Sequence, residues 1–329
     1  GTFISTSRLS VPIRRLSAQH GSHTKNSSDF FDGNACIRIG KEYIYIRHDT
    51  IIEKSPVWKE MRMSVAGKRV LITGSSHGIG AATAIAFARE GCAVGLNCNR
   101  NPEGAEETAT KIRALGSEVE IYPADVSDAS ACETMVRSFI DRFGGIDVLI
   151  NNAGGALQIP RGGFIDMPLE YWNKQIDLNL NAAAYTSRIT VRNMIENGVH
   201  GRIINVSSIH SIVTWVKRKL LPYSPGKAGL NMFTKALACE VAKYGIHVNG
   251  IAPGFILTKL SSRYSEADMQ AFLRKIPLGR LGSVDDITPM MLFLADEEKS
   301  GFITGQTFVI DGGQSIDGGI DSMLETYEK

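Results

Sequence analysis

Two residues that could carry acid–base chemistry lie close together in the second half of this 329-residue sequence. Tyr223 and Lys227 are four positions apart, so on a helix they share one face. A tyrosine phenol has a reference pKa near ~10, and it is a weak acid and a weak base at neutral pH unless a nearby cation favours the phenolate. Lys227 can be that cation. The pair could therefore move a proton to or from an oxygen atom of a substrate.

A glycine-rich turn follows the first predicted strand of the main body of the chain. Its glycines permit a tight turn, close approach of the backbone to a pyrophosphate, and tight packing of the next helix on the strand. The helix N-terminus adds N–H donors and a positive dipole. An ordinary turn before a buried helix is the alternative. The turn predicts a dinucleotide site formed by Gly74, Ser75, Ser76, His77, Gly78, Ile79 and Gly80.

The elements that must position these residues follow an alternating pattern from Lys68 onward. Short β-branched runs are expected as strands at 69–73, 93–97, 119–122, 147–151, 202–206, 247–251 and 308–310. Helical spacing between them predicts helices that include 81–90, 103–115, 129–143 and 228–244. Pro225 is tolerated only in a first helical turn, so that last helix should begin near Pro222 or Tyr223. The pattern predicts an α/β fold: one Rossmann-type, doubly wound, seven-stranded parallel sheet with helices on both faces.

Further motifs occur in order along this predicted fold. They are Asn151-Asn152-Ala153-Gly154 after the fourth strand, Asn179 within Asp177-Leu178-Asn179-Leu180, Ser208 after Asn205-Val206-Ser207, Tyr223-x-x-x-Lys227, and Pro253-Gly254 after the sixth strand. Together with the Gly-x-x-x-Gly-x-Gly spacing of the turn, they resemble the short-chain dehydrogenase/reductase family over residues 68–315.

The resemblance implies an oxidoreductase that moves a hydride between a nicotinamide cofactor and a carbinol carbon. Tyr223 would be the acid and base, Ser208 would polarise the substrate oxygen, and Lys227 would also grip the nicotinamide ribose. Asn179 would kink its helix and hold a water in a proton relay. Asp125 would accept a hydrogen bond from the adenine amine, and residues 253–258 would wrap the carboxamide. The implied cofactor contacts outside the turn are Asp125, Val126, Asn152, Ala153, Gly154, Tyr223, Lys227, Pro253, Gly254, Ile256 and Thr258.

The choice of cofactor depends on the end of the second strand. A carboxylate there would bond the adenosine ribose hydroxyls of NAD, whereas a basic group would attract the 2′-phosphate of NADP. The sequence has Asn97-Cys98-Asn99-Arg100 at this place, without an acid, and His77 lies where phosphate-preferring relatives often have arginine. We therefore expect NADP, held partly by Asn99 and Arg100. NAD is the alternative if Arg100 merely points into water.

Two variable segments, 157–168 and 259–275, are expected to border the substrate cleft. Stretches such as 250–255 and 279–282 are most similar to 3-oxoacyl-thioester (acyl-carrier-protein) reductases, and Arg161 and the basic run 217–219 would suit a phosphopantetheine or coenzyme A phosphate. The segment 207–210 is also similar to sugar dehydrogenases, so a glucose-type 1-dehydrogenase is the alternative. A hypothesis of another class is an NADP-binding structural or assembly subunit without turnover.

Residues 1–65 form an extension whose charge differs from that of the body. It carries ten basic and six acidic side chains, whereas the remainder carries 26 and 28. Residues 1–33 have no acidic residue before Asp29 and are typical of a targeting leader, which predicts a mitochondrial location, with cytoplasm or plastid as alternatives. A floppy tail without a targeting role is the other interpretation. Residues 34–65 hold a predicted hairpin at 36–48, and residues 66–329 form the predicted catalytic domain.

Composition excludes several functional classes. A net charge of only +2 argues against nucleic-acid binding. No uncharged apolar run approaches the ~20 residues that span a bilayer. The five cysteines are scattered and indicate neither a disulfide framework nor a metal site. Long helices expected over 169–196 and 223–244 are apolar on more than one side, so we expect a homo-oligomer, either a dimer or a tetramer.

Overall fold

The computed structural model divides the chain into two compact units, residues 1–61 and 62–329. In the second unit, the structure describes residues 64–156, 163–214, 220–258 and 264–316. In the first unit, it describes three strands. The predicted leader, the basic run 217–219 and parts of both substrate segments therefore lie outside the described residues. Within the described part of the chain, no helix is both long enough and apolar enough to cross a membrane.

The first unit contains a three-stranded antiparallel sheet in the order β1-β2-β3. Its strands are β1 (Asn34–Ile39), β2 (Glu42–Arg47) and β3 (Thr50–Ser55). β1 and β2 form a hairpin over the residues where the sequence predicts one. The expectation of two strands was incomplete, because the short run Thr50–Ser55, with two apolar, two charged and two uncharged polar residues, adds a third strand beside β2.

The second unit is built on a seven-stranded parallel sheet in the order β10-β9-β8-β7-β4-β5-β6, which confirms the predicted doubly wound α/β fold. The strands are β4 (Arg69–Ile72), β5 (Ala93–Cys98), β6 (Val119–Pro123), β7 (Val148–Asn151), β8 (Arg202–Val206), β9 (His247–Pro253) and β10 (Thr307–Ile310). The helices are α1 (Gly78–Arg89), α2 (Pro102–Ala114), α3 (Ala129–Phe143), α4 (Leu169–Ile176), α5 (Ala182–Glu196), α6 (Tyr223–Val241), α7 (Glu266–Leu273), α8 (Thr288–Ala295) and α9 (Glu297–Ser300).

The sheet separates two apolar layers. On one face Phe87 of α1 and Met291 of α8 pack with alternate strand residues such as Ile72. On the other face Phe139 of α3 and Met194 of α5 pack with the strand residues that point the opposite way. Because helices cover both faces, the central strands β7 and β8 are buried along their whole length.

Parallel strands bring their carboxyl ends to one edge of the sheet, and the predicted site residues follow those ends. The chain order reverses between β4 and β7, which are neighbours in the sheet. Ligands of doubly wound sheets bind in the crevice at such a reversal. The loops after β4, β5, β7, β8 and β9 therefore frame one cleft.

Two helices differ from regular α-helices at the point where they reach this cleft. The helix expected over 169–196 is interrupted by a π-helical turn, Asp177–Asn181, between α4 and α5. α6 begins at Tyr223, so Pro225 lies in its first turn, as the sequence predicts. Both features place a predicted site residue where the helix backbone is irregular or has just begun.

Candidate active site

The glycine-rich turn after β4 closes tightly against the loop after β7. Gly74 and Gly78 have positive φ values of 62° and 60°, a conformation that favours glycine. A Cβ on Gly74 would lie 2.8 Å from Cα of Ala153, and one on Gly80 would lie 2.5 Å from Nδ2 of Asn152. A side chain is therefore disfavoured at all three glycines, either by close contacts or by the backbone conformation. The exposed backbone forms a cradle that a pyrophosphate can approach.

The remaining residues of the turn have different environments. Ser75 is fully buried, and its hydroxyl donates to the carbonyl of Ile72 at 3.0 Å, so it shapes the turn from inside. Ser76, His77 and Ile79 are partly exposed at the start of α1. His77 occupies the N-cap position without a side-chain hydrogen bond to the helix. The first N–H groups of α1 point out of the helix and suit an anion.

Two asparagines at the end of β5 have opposite environments: Asn97 is buried, and Asn99 is exposed to solvent. Asn97 is 2% exposed, its Oδ1 accepts from the amide of Gly74 at 3.0 Å, and its Nδ2 donates to the carbonyls of Tyr122 and Ala124. Asn97 therefore braces the turn. Asn99 and Arg100 are exposed at the rim, where a ribose phosphate could reach them.

Asp125 follows β6 beside this rim. Burial raises the pKa of its carboxyl, but hydrogen bonds from Ser127 and Asn99 and the charge of Arg100 outweigh burial, so the pKa lies below its usual value. One carboxyl oxygen accepts from the amide and hydroxyl of Ser127 at 3.0 Å and 2.6 Å. Val126 beside it is buried. Asp125 is thus an ionised acceptor, as its implied role towards the adenine amine would require.

Lys227 is buried between the end of β8 and the loop after β7. Its side chain is 3% exposed, and its Nζ donates to the carbonyl of Val206 at 2.7 Å. Burial lowers the pKa of its ammonium group to about 8. The hydroxyl of Ser207 donates to the backbone carbonyl of Lys227 at 3.2 Å. These two bonds fasten the end of β8 to the first turns of α6.

Asn179 is fixed by the π-helical turn. Its Nδ2 donates to the backbone carbonyl of Gln175 and the carbonyl of Gly155, at 3.0 Å and 3.1 Å, and its Oδ1 accepts from the amide of Gly155 at 2.9 Å. A Cβ on Gly154 would lie 2.9 Å from both Oδ1 of Asn179 and Nζ of Lys227. There is no room for a side chain at Gly154, because the predicted catalytic side chains of Asn179 and Lys227 both lie against it.

Sequence reasoning missed Gln175. This side chain is fully buried, and its Oε1 accepts from Nδ2 of Asn179 at 3.0 Å. Its position four residues before Asn179 was the available signal, because side chains at that spacing meet on a helix.

Ser208 and Tyr223 stand at the mouth of the cleft. Ser208 is 7% exposed and lies two residues beyond the end of β8, where its Oγ accepts from the amide of His210 at 3.2 Å. Tyr223 is half-buried at the first position of α6, one turn before Lys227. The rings of His210 and Tyr223 meet edge to face, with centroids 6.4 Å apart. Like Gln175, His210 is a residue of the site to which the sequence assigned no role.

Residues 253–258, which we call the strap, cross the cleft after β9. The amide of Gly254 donates to the carbonyl of Ile310 at 2.9 Å, and Ile256 pairs with Gly282. A Cβ on Gly78 would lie 3.3 Å from Cγ2 of Thr258, so the strap reaches the glycine-rich turn. Pro253, the last residue of β9, is buried at its root.

An aromatic cluster lies above the strap. Phe255 stacks on Phe272 of α7 with ring centroids 4.1 Å apart, and Tyr264 meets both rings edge to face at 5.4 Å and 5.2 Å. Among the residues that the structure describes, no group of three or more His, Cys, Asp or Glu side chains could hold a metal ion.

The chain matches known proteins over this unit. A protein-family model described as enoyl-(acyl carrier protein) reductase matches residues 74–315. The (2S)-[(R)-hydroxy(phenyl)methyl]succinyl-CoA dehydrogenase subunit of Thauera aromatica is 39% identical over 256 residues, or 77% of this chain and 99% of that protein. Glucose 1-dehydrogenase 2 of Bacillus subtilis is 33% identical over 259 residues, or 78% and 98%.

A solved structure agrees with these relatives. A short-chain dehydrogenase/reductase from Caenorhabditis elegans, solved with cofactor, is 34% identical, with a TM-score of 0.71 over 78% of this chain and 98% of that one. The family match covers most of the chain and includes each loop that frames the cleft. The chain therefore belongs to the short-chain dehydrogenase/reductase family and is an NAD(P)-dependent oxidoreductase acting on CH–OH groups.

Proposed function

We propose that this enzyme uses NADP(H) to interconvert a 3-oxoacyl thioester and the corresponding secondary alcohol. The observation that carries the proposal is the buried Lys227 ammonium, held by Val206 one helical turn from Tyr223 and against Gly154 and Asn179. When bound, the nicotinamide supplies or accepts the hydride. The chain's own residues must therefore supply the proton and hold the substrate oxygen.

Tyr223 is the proposed proton donor in the direction of reduction. As its proton passes to the substrate oxygen, negative charge develops on the phenolic oxygen. A fixed positive charge one turn away stabilises that charge without reorganising, and burial strengthens the attraction. With a pKa of about 8, Lys227 is largely protonated at neutral pH.

Ser208 is proposed to hold the substrate oxygen. The amide of His210 already donates to its Oγ, so the hydroxyl proton is directed elsewhere and can be donated to a carbonyl oxygen. Asn179, locked by Gln175 and Gly155, is proposed to keep a water in place for returning a proton towards Lys227. Each group is fixed before substrate arrives, which is the condition for electrostatic catalysis.

The cradle for the dinucleotide fits the residues present. Substituents are excluded at Gly74 and Gly80, where a Cβ would meet backbone or side-chain atoms. NADP rather than NAD is proposed because Arg100 and Asn99 are exposed at the end of β5, while Asn97 is occupied with bracing the turn. A phosphate on the ribose would gain charge-assisted hydrogen bonds there.

An acyl thioester is proposed because the strap contributes Phe255 to an apolar aromatic cluster, and Ile212 and Leu257 are exposed on the loops after β8 and β9. Together these residues would give the cleft an apolar wall. Such a wall suits a chain or a ring better than a sugar with many hydroxyl groups. The name of the Thauera relative specifies a coenzyme A ester that carries a hydroxyl group. The Bacillus relative, a glucose dehydrogenase, supports sugar oxidation as the second candidate.

A substrate panel tests the proposal. Purified protein would be mixed with NADPH and 3-oxoacyl thioesters, diketones or aldoses, with NADP for the sugars, while nicotinamide absorbance is followed. Loss of absorbance with 3-oxoacyl thioesters is expected. Turnover of glucose alone would favour the second candidate. Tight NADP binding with no turnover across the panel would favour an assembly subunit.

Two properties of the whole chain, its oligomeric state and its location in the cell, are also proposed. A homo-oligomer is supported by α6, where Met232, Ala236 and Cys239 are exposed along one side of the helix. The particle mass in solution tests it, and a monomer would contradict it.

A mitochondrial location is proposed from the basic, serine-rich composition of residues 1–33, and imaging of the tagged full chain would distinguish it from cytoplasm or plastid.

A further inference from the structure

A glutamine near the end of the second unit holds the strap by a single hydrogen bond. Gln314 is 2% exposed, and its Oε1 accepts from the amide of Phe255 at 3.0 Å. Its Nε2 has no hydrogen-bond partner among the described residues. A buried amide with one end unsatisfied costs folding free energy that an apolar side chain of similar size would not. The contribution of Gln314 therefore lies in its bond to Phe255.

The turn that carries Gln314 is rigid. One carboxyl oxygen of Asp311 accepts from the amide of Gly313 at 2.9 Å, and the other accepts from Ser315 at 2.6 Å. Gly312 and Gly313 have positive φ values of 65° and 88°. A Cβ on either would lie within 3 Å of Ile276 or Pro277, so the turn is also packed against the segment after α7. Gln314 is thus a fixed point for whatever it binds.

The strap is pressed against this fixed point. A Cβ on Gly254 would lie 2.6 Å from Cβ of Asp311 and 2.9 Å from Oε1 of Gln314. The far end of the strap, Thr258, lies beside Gly78 of the glycine-rich turn. The strap is therefore held along its length, and Gln314 adds the bond at the amide of Phe255 to the bond of Gly254 with Ile310 and the pairing of Ile256 with Gly282.

We propose that Gln314 is a positioning residue for the nicotinamide half of the cofactor. The inference rests on the proposed function, in which the strap wraps the nicotinamide carboxamide. When the acceptor is removed, the amide of Phe255 must find another partner, and the strap moves with it. The adenosine half would be held by the exposed Asn99 and Arg100 after β5, and that contact would not depend on the bond of Gln314.

The test compares the binding of a whole dinucleotide with that of a fragment that lacks only the nicotinamide ring. Affinities for NADPH and for 2′-phospho-ADP-ribose are measured by calorimetry on the full chain. Gln314→Met keeps the volume and removes the acceptor. Gln314→Glu keeps an acceptor. Gln306→Met is the matched control, because Gln306 is an exposed glutamine just before β10.

Gln314→Met is expected to weaken NADPH binding by about tenfold, or 1.4 kcal/mol, and to leave the fragment within twofold of the unmodified protein. Gln314→Glu is expected to recover most of the NADPH affinity, and Gln306→Met to change neither ligand. Equal weakening of both ligands by Gln314→Met would overturn the proposal, because a general loss of structure acts on both. Unchanged NADPH affinity would also overturn it.

If Gln314→Met does not fold, Gln314→Asn carries the same test, because it withdraws the amide by one methylene. It is expected to show a smaller loss that is still confined to NADPH, and no such selectivity would overturn the proposal. The proposed function fails separately: it fails if the unmodified protein binds NADPH but turns over no 3-oxoacyl thioester, whatever Gln314 variants do to binding.

Discussion

Replacing Gly154 with alanine would test how closely the site is built. The new methyl carbon would lie 2.9 Å from Nζ of Lys227 and 2.9 Å from Oδ1 of Asn179. Non-bonded atoms of this kind need roughly 3.5 Å, so about half an ångström of movement is required. Neither side chain can retreat freely, because Nζ is bonded to Val206 at 2.7 Å and Oδ1 accepts from Gly155 at 2.9 Å.

We expect kcat of Gly154→Ala to fall by about tenfold to a hundredfold, since displacing a catalytic group by about 1 Å can cost about a hundredfold. The free energy of unfolding should fall by about 1–3 kcal/mol from overpacking. Steady-state oxidation of NADPH with a 3-oxoacyl thioester and urea unfolding measure the two effects.

Gly116→Ala is the control for a loss of stability at a glycine whose replacement touches no catalytic side chain. Gly116 has a positive φ of 81° and open space around its Cβ position, so this variant should lose stability without losing kcat. If kcat of Gly154→Ala is unchanged, then activity does not require Lys227 and Asn179 to lie this close to the Cα of residue 154.

Three further predictions concern the cofactor, the buried ammonium and the base of the sheet. Arg100→Asp should shift the ratio of kcat/KM for NADPH over NADH towards NADH by at least about tenfold, and an unchanged ratio would place the 2′-phosphate elsewhere. Because burial depresses the pKa of Lys227, its folding penalty is present at neutral pH and is relieved as pH rises. The unfolding free energy of the unmodified protein relative to Lys227→Met should therefore rise by about 2 kcal/mol between about pH 8 and about pH 10, and a flat difference would contradict the burial argument. Asp147 accepts three hydrogen bonds from Arg69, so Asp147→Asn should lower the unfolding free energy by about 1–3 kcal/mol. Burial raises the pKa of Asp147, but those hydrogen bonds outweigh burial, so the pKa lies below its usual value. The loss of unfolding free energy in Asp147→Asn should therefore shrink as pH falls below about 4. A loss that is independent of pH would contradict the role of the Arg69 bonds.

The sequence was most informative where local chemistry and chain order decide the structure. Pro225 predicted where α6 begins, because its ring is compatible only with a first turn. The strand runs and the glycine-rich turn predicted the order of loops around the cleft. These inferences depend on neighbours in sequence and on the topology of parallel sheets, both of which can be read without coordinates.

Contacts between distant residues could not be predicted in the same way. Asn97 reaches carbonyls 25 and 27 residues away, and Gln314 reaches an amide 59 residues away. Nothing in a single sequence distinguishes such buried amides from exposed ones, because the difference arises only when loops from separate strands meet. The third strand, β3, was missed because a short run that changes from apolar to charged lacks a clear alternation.

The proposed proton donor is the phenolic hydroxyl of Tyr223, one helical turn before the buried Lys227. Transient kinetics of hydride transfer in Tyr223→Phe, with NADPH prebound and a 3-oxoacyl thioester added, tests it most directly. We expect hydride transfer to be abolished while NADPH affinity stays nearly unchanged, because the substitution removes one hydroxyl and little else. Retention of more than a few per cent of the rate would contradict it.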